Sequence, residues 1–390
     1  MYKRLKYKLA HTLIHSLGWH TNRKIIVIES DDWGSIRMPS KDVYDLFLKD
    51  GFRVDADPYC KYDALATHDD LALLFDVLTA FRDKHGRCPV ITANCIVANP
   101  DFARIKASDF TEYHYEPFTE TLQHYPNCNK SFRLWQEGIK SGVFYPQLHG
   151  REHLNVNRWM KALYENNDAA RRQFDNFCWG LTPETSNLIN RHFLSAFGGV
   201  QNTKAIELIL TEGVNLFYTI FGYRPDSFIA PCYVWNDDVE KYLHNNGIKY
   251  IQGNYFQSVP DFNDAGYPGD ADAGKTKSRM NYLGKRNTYR QHYLVRNCFF
   301  EPAQNENMDW IDRCLKDIKT AFQYKKPAIL SAHRLNFIGS IFVENRDKNL
   351  TLLGQLLKKI LTVWPDVEFF TSSHLGDLMN GIGEKIDERH

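Results

Sequence analysis

Acidic and imidazole side chains end three apolar runs of this 390-residue sequence. They are Asp31 and Asp32 after KIIVIES, His149 and His153 after FYPQL, and His333 at the end of PAILSAH. Carboxylates and imidazoles are common ligands of divalent metals and common proton carriers near neutral pH. Their positions predict a polar chemical site supported by a buried scaffold.

The two histidines of HGREH lie four residues apart. On a helical turn this spacing points both side chains the same way, with Cβ atoms about 5–6 Å apart. Both imidazoles could then bind one metal at about 2.0–2.1 Å. Two histidines and one carboxylate form a catalytic zinc site that leaves a position open for water. The alternative is two unconnected polar side chains, because this spacing also arises by chance.

The adjacent carboxylates of Asp31 and Asp32 repel each other unless a nearby cation offsets their charge. One carboxylate could bind the metal, and the other could accept a proton beside it. The alternative is that the pair caps the following turn. Capping explains one aspartate well and two less well.

Eight β-rich runs alternate with helical patterns along the chain. The runs are 24–30, 88–99, 144–150, 227–235, 248–253, 292–300, 327–333 and 367–373. Most are apolar on both faces, which is typical of strands covered on both sides. The alternation predicts an α/β fold with a parallel sheet closed, or nearly closed, into a barrel. Active sites of such folds lie at the C-terminal ends of the strands.

We expect one catalytic domain over residues 1–390, with three additions to the barrel. These are an N-terminal helical extension at 1–22, a helical insertion at 155–222 and a long loop excursion at 254–291.

The charge balance of 48 basic and 47 acidic residues gives a net charge of +1. This balance offers no field that would gather nucleic acid or anionic lipid. The eight cysteines form no C-x-x-C pair, which indicates reduced thiols. The basic N-terminus lacks the unbroken apolar segment of a signal peptide, and no run approaches the ~20 apolar residues of a membrane span. We therefore expect a cytoplasmic protein without a membrane span; its oligomeric state stays open.

The three motifs resemble those of the polysaccharide deacetylase family. Its members are metal-dependent carbohydrate deacetylases with a distorted seven-stranded (β/α) barrel. SDDWG is similar to the family's D-D-G motif, HGREH to its H-x-x-x-H motif and ILSAH to its L-x-H motif. The motifs follow the family order and span residues 24–333. The resemblance implies that barrel, here with a helical insertion.

The resemblance also implies roles for these residues. Asp32, His149 and His153 would bind one divalent metal ion, for which zinc is expected. Asp31 would be the general base, and His333 would be the general acid.

Two of the family's motifs have only loose counterparts. Ile229 of IAPC stands where the family has the arginine that orients the base, and Arg296, Arg334 or Arg151 could replace it. Glu301 or Asp309 could hold the acid histidine.

Two further positions could contact the substrate. The backbone N–H of Cys232 could stabilise an oxyanion. Trp235 could stack on a sugar ring.

The expected function is hydrolysis of an acyl group, N-acetyl above all, from a carbohydrate or glycoconjugate. One alternative is a metal-dependent glycosidase, which needs a second carboxylate such as Asp237, Asp238 or Glu301. Others are an amidase on a non-sugar substrate and a non-catalytic carbohydrate-binding protein. A pure binder needs neither Asp31 nor His333, so their presence argues against that last alternative.

Overall fold

The computed structural model describes residues 16–181, 193–199, 202–260 and 277–382. Its main sheet consists of parallel strands with an apolar outer face and helices packed outside. The strands are β1 (Ile25–Trp33), β2 (Ile91–Ile96), β5 (Phe144–Gly150), β6 (Ser227–Ile229), β7 (Tyr250–Gly253), β10 (His292–Val295), β11 (Cys298–Phe299), β12 (Ala328–His333) and β13 (Glu368–Phe370). The remaining strands form two small antiparallel pairs, β3 (Ala98–Pro100) with β4 (Tyr115–Pro117), and β8 (Phe256–Val259) with β9 (Lys277–Met280).

The sheet order is β10-β7-β6-β5-β2-β1-β12-β11, and β13 pairs with the start of β1. The two outer strands of this order belong to one extended segment, 292–299, which pairs first with β7 and then with β12. The exchange of partner occurs at Arg296, whose N–H donates to Gly253, and Asn297, whose N–H donates to Ile329. One segment therefore joins both edges of the sheet. The predicted α/β barrel is confirmed. Its seven strand positions are β7, β6, β5, β2, β1, β12 and segment 292–299, and β13 pairs with β1 in addition.

The inner face of the barrel is polar beneath the strand ends. Asn94 of β2 and Gln252 of β7 exchange two amide hydrogen bonds of 2.8 and 2.9 Å. These strands are separated in the sheet by β5 and β6, so the bonds cross the interior. Both faces are buried as expected. The inner face is apolar, as expected, along the N-terminal half of the strands, where Ile25 and Val27 lie, and the expectation is wrong only near the C-terminal ends. Asn94 and Gln252 are stable there because each side chain finds a hydrogen-bond partner.

Helices surround the sheet, and the last of them, Ser372–Met379, packs on the inner side, where Ser372 donates to Glu29 and Leu375 joins Ile25 and Val27. The helices are Lys41–Lys49, Pro58–Tyr62, His68–Thr79, Phe102–Ala107, Phe118–His124, Ser131–Lys140, Val156–Tyr164, Asp168–Phe174, Thr203–Phe221, Asp237–Asn245, Trp310–Gln323, Val343–Val363 and Ser372–Met379. Side-chain caps fix several starts, such as the Thr67–Asp70 capping box before His68. Short 3₁₀ turns at Pro231–Tyr233 and Arg334–Phe337 follow β6 and β12.

The additions expected from the sequence fall partly within the described residues. Range 155–222 contains helices Val156–Tyr164, Asp168–Phe174 and Thr203–Phe221. Range 254–291 contains the β8–β9 pair, and most of the 1–22 extension lies outside the described residues. Over the described part of the chain, no helix has the length and apolar character needed to cross a bilayer.

Candidate active site

The strand ends bring the five motif residues together. Asp31 and His333 are paired in register on neighbouring strands β1 and β12. His149 is the penultimate residue of β5, and His153 lies in the loop that follows. The helical turn expected for the two histidines is therefore wrong: a strand end and a loop bring their rings to a centroid distance of 5.1 Å.

A distortion of β1 explains why adjacent aspartates serve one site. Successive strand residues point to opposite faces. The pairing of β1 with β2 is irregular between Ser30 and Trp33, and Asp32 has a left-handed φ of 72°. The bulge turns the second carboxylate so that both reach the C-terminal end of the barrel. Such backbone costs on the order of 1–3 kcal/mol and is typical of functional sites.

Asp32, His149 and His153 form a buried set of possible metal ligands. Oδ1 of Asp32 lies 3.4 Å from Nε2 of each histidine. The ligand atoms all lie within 4.8 Å of one another, and the exposed fraction of each residue is 5% or less. Two ligand atoms about 2.1 Å from a tetrahedral centre are about 3.4 Å apart, so the spacing fits a metal such as zinc.

The hydrogen bond of His149 and the lowered pKa of His153 are both compatible with metal binding. Nδ1 of His149 lies 2.9 Å from the carbonyl oxygen of Ile229, which can only accept, so Nδ1 donates to it and Nε2 is the nitrogen that faces Asp32. Burial lowers the pKa of His153 to about 3, which keeps this ring neutral at neutral pH. Two imidazole nitrogens and one carboxylate are a donor set that suits zinc.

Arg296 holds the Asp31 carboxylate with two hydrogen bonds. Its Nη1 donates to Oδ2 at 2.7 Å and its Nη2 to Oδ1 at 2.6 Å, while its Nε donates to Glu29 at 2.7 Å. Asn94 adds a bond of 2.7 Å to Oδ1 of Asp31. Burial would raise the pKa of Asp31, but the guanidinium outweighs it and lowers the pKa to about 2. Of the three arginines considered for this position, the geometry selects Arg296.

Glu301 holds the His333 ring. Its Oε1 lies 2.6 Å from Nδ1 of His333, and Nδ2 of Asn336 donates to its Oε2 at 2.8 Å. Nε2 of His333 is thereby directed to Asp31, 3.7 Å from Oδ2. Burial would lower the pKa of His333, but Glu301 and Asp31 outweigh it and raise the pKa to about 9. Asp309 instead caps the helix beginning at Trp310, where it accepts from the N–H of Asp312.

The two remaining candidate substrate contacts differ. Trp235 is 1% exposed and its indole N–H donates to Glu240, so no face is available for a sugar ring. That expectation is corrected. Cys232 is exposed in the turn after β6, with a left-handed φ of 57°. Its neighbour Tyr233 accepts a hydrogen bond from Arg296 through its hydroxyl group at 3.0 Å, so this turn borders the site.

Sequence reasoning missed a group of residues behind Asp32. Nη2 of Arg37 lies 3.7 Å from Oδ2 of Asp32, and its guanidinium lies over Trp179 at 5.2 Å. Arg334 and Asp63 form a bidentate buried pair beside Arg37, with both bonds at 2.9 Å. Neither Arg37 nor Trp179 belongs to a recognisable motif, so only the folded chain brings them to the site.

The other carboxylates considered for a glycosidase are differently placed. Asp237 begins the helix Asp237–Asn245 beside Asp238, and it pairs with Arg279 at 2.6 Å. Glu301 is committed to His333 and Asn336.

Three solved structures show what the fold is similar to. A protein from Mycobacterium smegmatis described as a polysaccharide deacetylase is 10% identical, with 94% of this chain and 93% of that chain covered and a TM-score of 0.44. The 4-alpha-glucanotransferase from Thermococcus litoralis is 9% identical, with 90% and 40% covered and a TM-score of 0.44. The peptidoglycan deacetylase from Bacillus subtilis is 12% identical, with 94% and 96% covered and a TM-score of 0.35.

No curated protein matches the chain. The family model of glycosyl hydrolase family 57, by contrast, matches residues 79–297. This range covers more than half of the sequence and includes His149, His153 and Arg296. The chain therefore belongs to glycosyl hydrolase family 57, a family of carbohydrate-active enzymes.

Proposed function

We propose that this protein is a metal-dependent hydrolase that removes an acyl group, with N-acetyl expected, from a carbohydrate or glycoconjugate. The observation that carries the proposal is the arrangement of Asp31 and His333 beside a buried Asp32–His149–His153 set. The motif resemblance noted in the sequence supports the same reaction. Asp32, His149 and His153 would hold the ion, and zinc fits their donor types. A bound divalent ion supplies Lewis acidity, which makes a water more acidic and an acyl carbonyl more electrophilic.

Asp31 is suited to accept the proton of the attacking water. Its Oδ1 is occupied by Asn94 and Arg296, and its Oδ2 accepts one bond from Arg296. Oδ2 therefore keeps a lone pair and faces His333. Because its pKa is about 2, Asp31 is ionised throughout the neutral range.

His333 is suited to donate the second proton. Its pKa of about 9 keeps the ring protonated at neutral pH, and Glu301 holds Nδ1. The Nε2 proton can then pass to the departing nitrogen or oxygen as the bond to the acyl carbon breaks. Water adds to that carbon, and the products are a free carboxylate and a deacylated sugar.

A glycosidase is the second candidate, and membership of glycosyl hydrolase family 57 favours it. Such an enzyme needs two carboxylates flanking the scissile bond. Asp31 and Glu301 are each engaged by a basic partner, Arg296 and His333. This engagement favours the deacetylase over the glycosidase.

Product analysis tests the proposal. Purified protein loaded with Zn²⁺ is incubated with N-acetylated and O-acetylated oligosaccharides, and acetate and new reducing ends are measured in the same samples. The proposal predicts acetate without new reducing ends. New reducing ends without acetate would establish the glycosidase instead.

A further inference from the structure

Trp179 covers the metal-ligand set from the side of the helical segment 155–222. Its indole lies against the His153 ring, with centroids 6.3 Å apart and planes inclined by 24°. The guanidinium of Arg37 lies over the same indole, 5.2 Å from its centroid. The exposed fraction of Trp179 is 2%, so the three groups are packed in the interior.

The two histidines are held differently. His149 donates its Nδ1–H to Ile229, which fixes the ring in the manner usual for metal-binding histidines. Nδ1 of His153 is buried and has no hydrogen-bond partner in any other described residue. The orientation of the His153 ring therefore depends on packing, and the flat neighbour that packs along it is Trp179.

Arg37 faces the other ligand, Asp32. Oδ1 of Asp32 faces both imidazoles, and Oδ2 lies 3.7 Å from Nη2 of Arg37. Nε of Arg37 lies 3.6 Å from Asp63 and makes no hydrogen bond among the described residues. Since ion pairs at these distances constrain direction weakly, contact with the Trp179 face contributes to fixing the guanidinium.

We propose that Trp179 is a positioning residue for the metal site: by stacking on His153 and Arg37, it orients one ligand directly and a second, Asp32, through Arg37. The inference rests on the metal site of the proposed function. It gives the segment 155–222 a role in metal affinity, in addition to packing. The face of Trp179 would fix the His153 ring, as the hydrogen bond to Ile229 fixes the His149 ring.

The test compares two buried tryptophans of the same segment. Trp159, in the helix Val156–Tyr164, is 1% exposed and packs on Phe102 and Phe174. Like Trp179, its indole nitrogen has no hydrogen-bond partner among the described residues. Zn²⁺ affinity is measured by competition with a fluorescent chelator for the full-length protein, Trp179→Ala, Trp159→Ala and Trp179→Phe.

We expect Trp179→Ala to weaken Zn²⁺ binding about tenfold or more, the range seen when an outer partner of a ligand is lost. Trp159→Ala should stay within about twofold of the unmodified protein, and Trp179→Phe should recover most of the loss because it restores an aromatic face. The visible absorption bands of bound Co²⁺ should shift in Trp179→Ala only. Should the alanine variants not fold, Trp179→Met and Trp159→Met give the same comparison without a ring.

Equal Zn²⁺ affinities and unchanged Co²⁺ bands in the Trp179 and Trp159 variants would overturn this inference alone. If the unmodified protein takes up no Zn²⁺, the inference and the proposed metal site both fail. If Zn²⁺ binds and depends on Trp179 while no acetate is released, the inference stands and the deacetylase function fails.

Discussion

Asp31 and His333 are register partners on parallel strands, and Oδ2 of the aspartate lies 3.7 Å from Nε2 of the histidine. Their surroundings move their proton affinities in opposite directions, with Arg296 lowering the pKa of Asp31 to about 2 and Glu301 raising that of His333 to about 9. Environments that separate two pKa values in this way assign an acceptor and a donor. At neutral pH one group can only accept a proton and the other can only donate one.

Replacing Asp31 by Asn removes the acceptor and leaves the metal ligands in place. We expect turnover to fall about 10²- to 10⁴-fold, the usual contribution of a general base. Metal content, measured by elemental analysis, should stay unchanged because Asp31 is not one of the three ligands. The control is Asp237→Asn. Asp237 begins the helix Asp237–Asn245 and pairs with Arg279. Loss of metal, with activity restored by added metal, would contradict the role assigned to Asp31.

Replacing Glu301 by Gln should alter the pH dependence of catalysis. A group with a raised pKa stays protonated until the pH passes that value, so kcat/KM should decline as the pH rises through about 9. Without the carboxylate beside Nδ1, the decline should begin about one to three pH units lower. The control is Asp309→Asn, because Asp309 caps a helix and does not hold His333. An unmoved alkaline limb in Glu301→Gln would show that another group titrates there.

Replacing Arg296 by Met leaves the Glu29 and Asp31 carboxylates buried without their counter-charge. Removing one partner of a buried ion pair costs about 3–5 kcal/mol. The free energy of unfolding from urea titration should fall by this amount. In Arg313→Met, which breaks an exposed pair with Asp317, it should fall by about 0–1 kcal/mol. A similar loss of unfolding free energy in the two variants would mean that Arg296 stabilises the protein no more than an exposed arginine does.

Much of the barrel is readable from the sequence because buried strands leave continuous β-rich runs, and the strand ends carry motifs of fixed spacing. Arg296 could not be selected in advance. It reaches Asp31 only because segment 292–299 changes sheet partner at that residue. The polar interior was missed because residues such as Asn94 and Gln252 find their partners across the barrel rather than along the chain.

The direction of a side chain, which the sequence does not give, separates the tryptophan that was wrongly singled out from the one that was missed. Trp235 ends an apolar run near the site, yet its indole turns inward to Glu240. Trp179 carries no motif, yet the segment folds it onto His153. The sequence pattern predicts that an aromatic residue lies near a strand end, but tertiary packing determines the direction of its side chain.

Glu368 supplies a prediction about acid stability away from the site. It is 1% exposed, and Arg23, Lys84, His85 and Arg87 surround its carboxylate at 2.5–3.4 Å. Burial would raise its pKa, but Arg23 and Lys84 outweigh it and lower the pKa from 4.5 to about 2. A depressed pKa contributes stability that is present above pH 4.5 and lost as the pH falls through 2.

Glu368→Gln removes this contribution. The loss of unfolding free energy between pH 4.5 and 2 should therefore be shallower than in the unmodified protein. Chemical unfolding across this range measures it, with Glu344→Gln on an exposed helix start as the control. Parallel pH profiles for all three proteins would contradict the account of Glu368.

The most direct test of the metal site is an anomalous difference map at the zinc edge from crystals grown with Zn²⁺. We predict one peak within about 2.0–2.2 Å of Oδ1 of Asp32 and Nε2 of His149 and His153. The peak should disappear in His153→Ala. Full-strength peaks elsewhere and none among these three atoms would contradict the central claim.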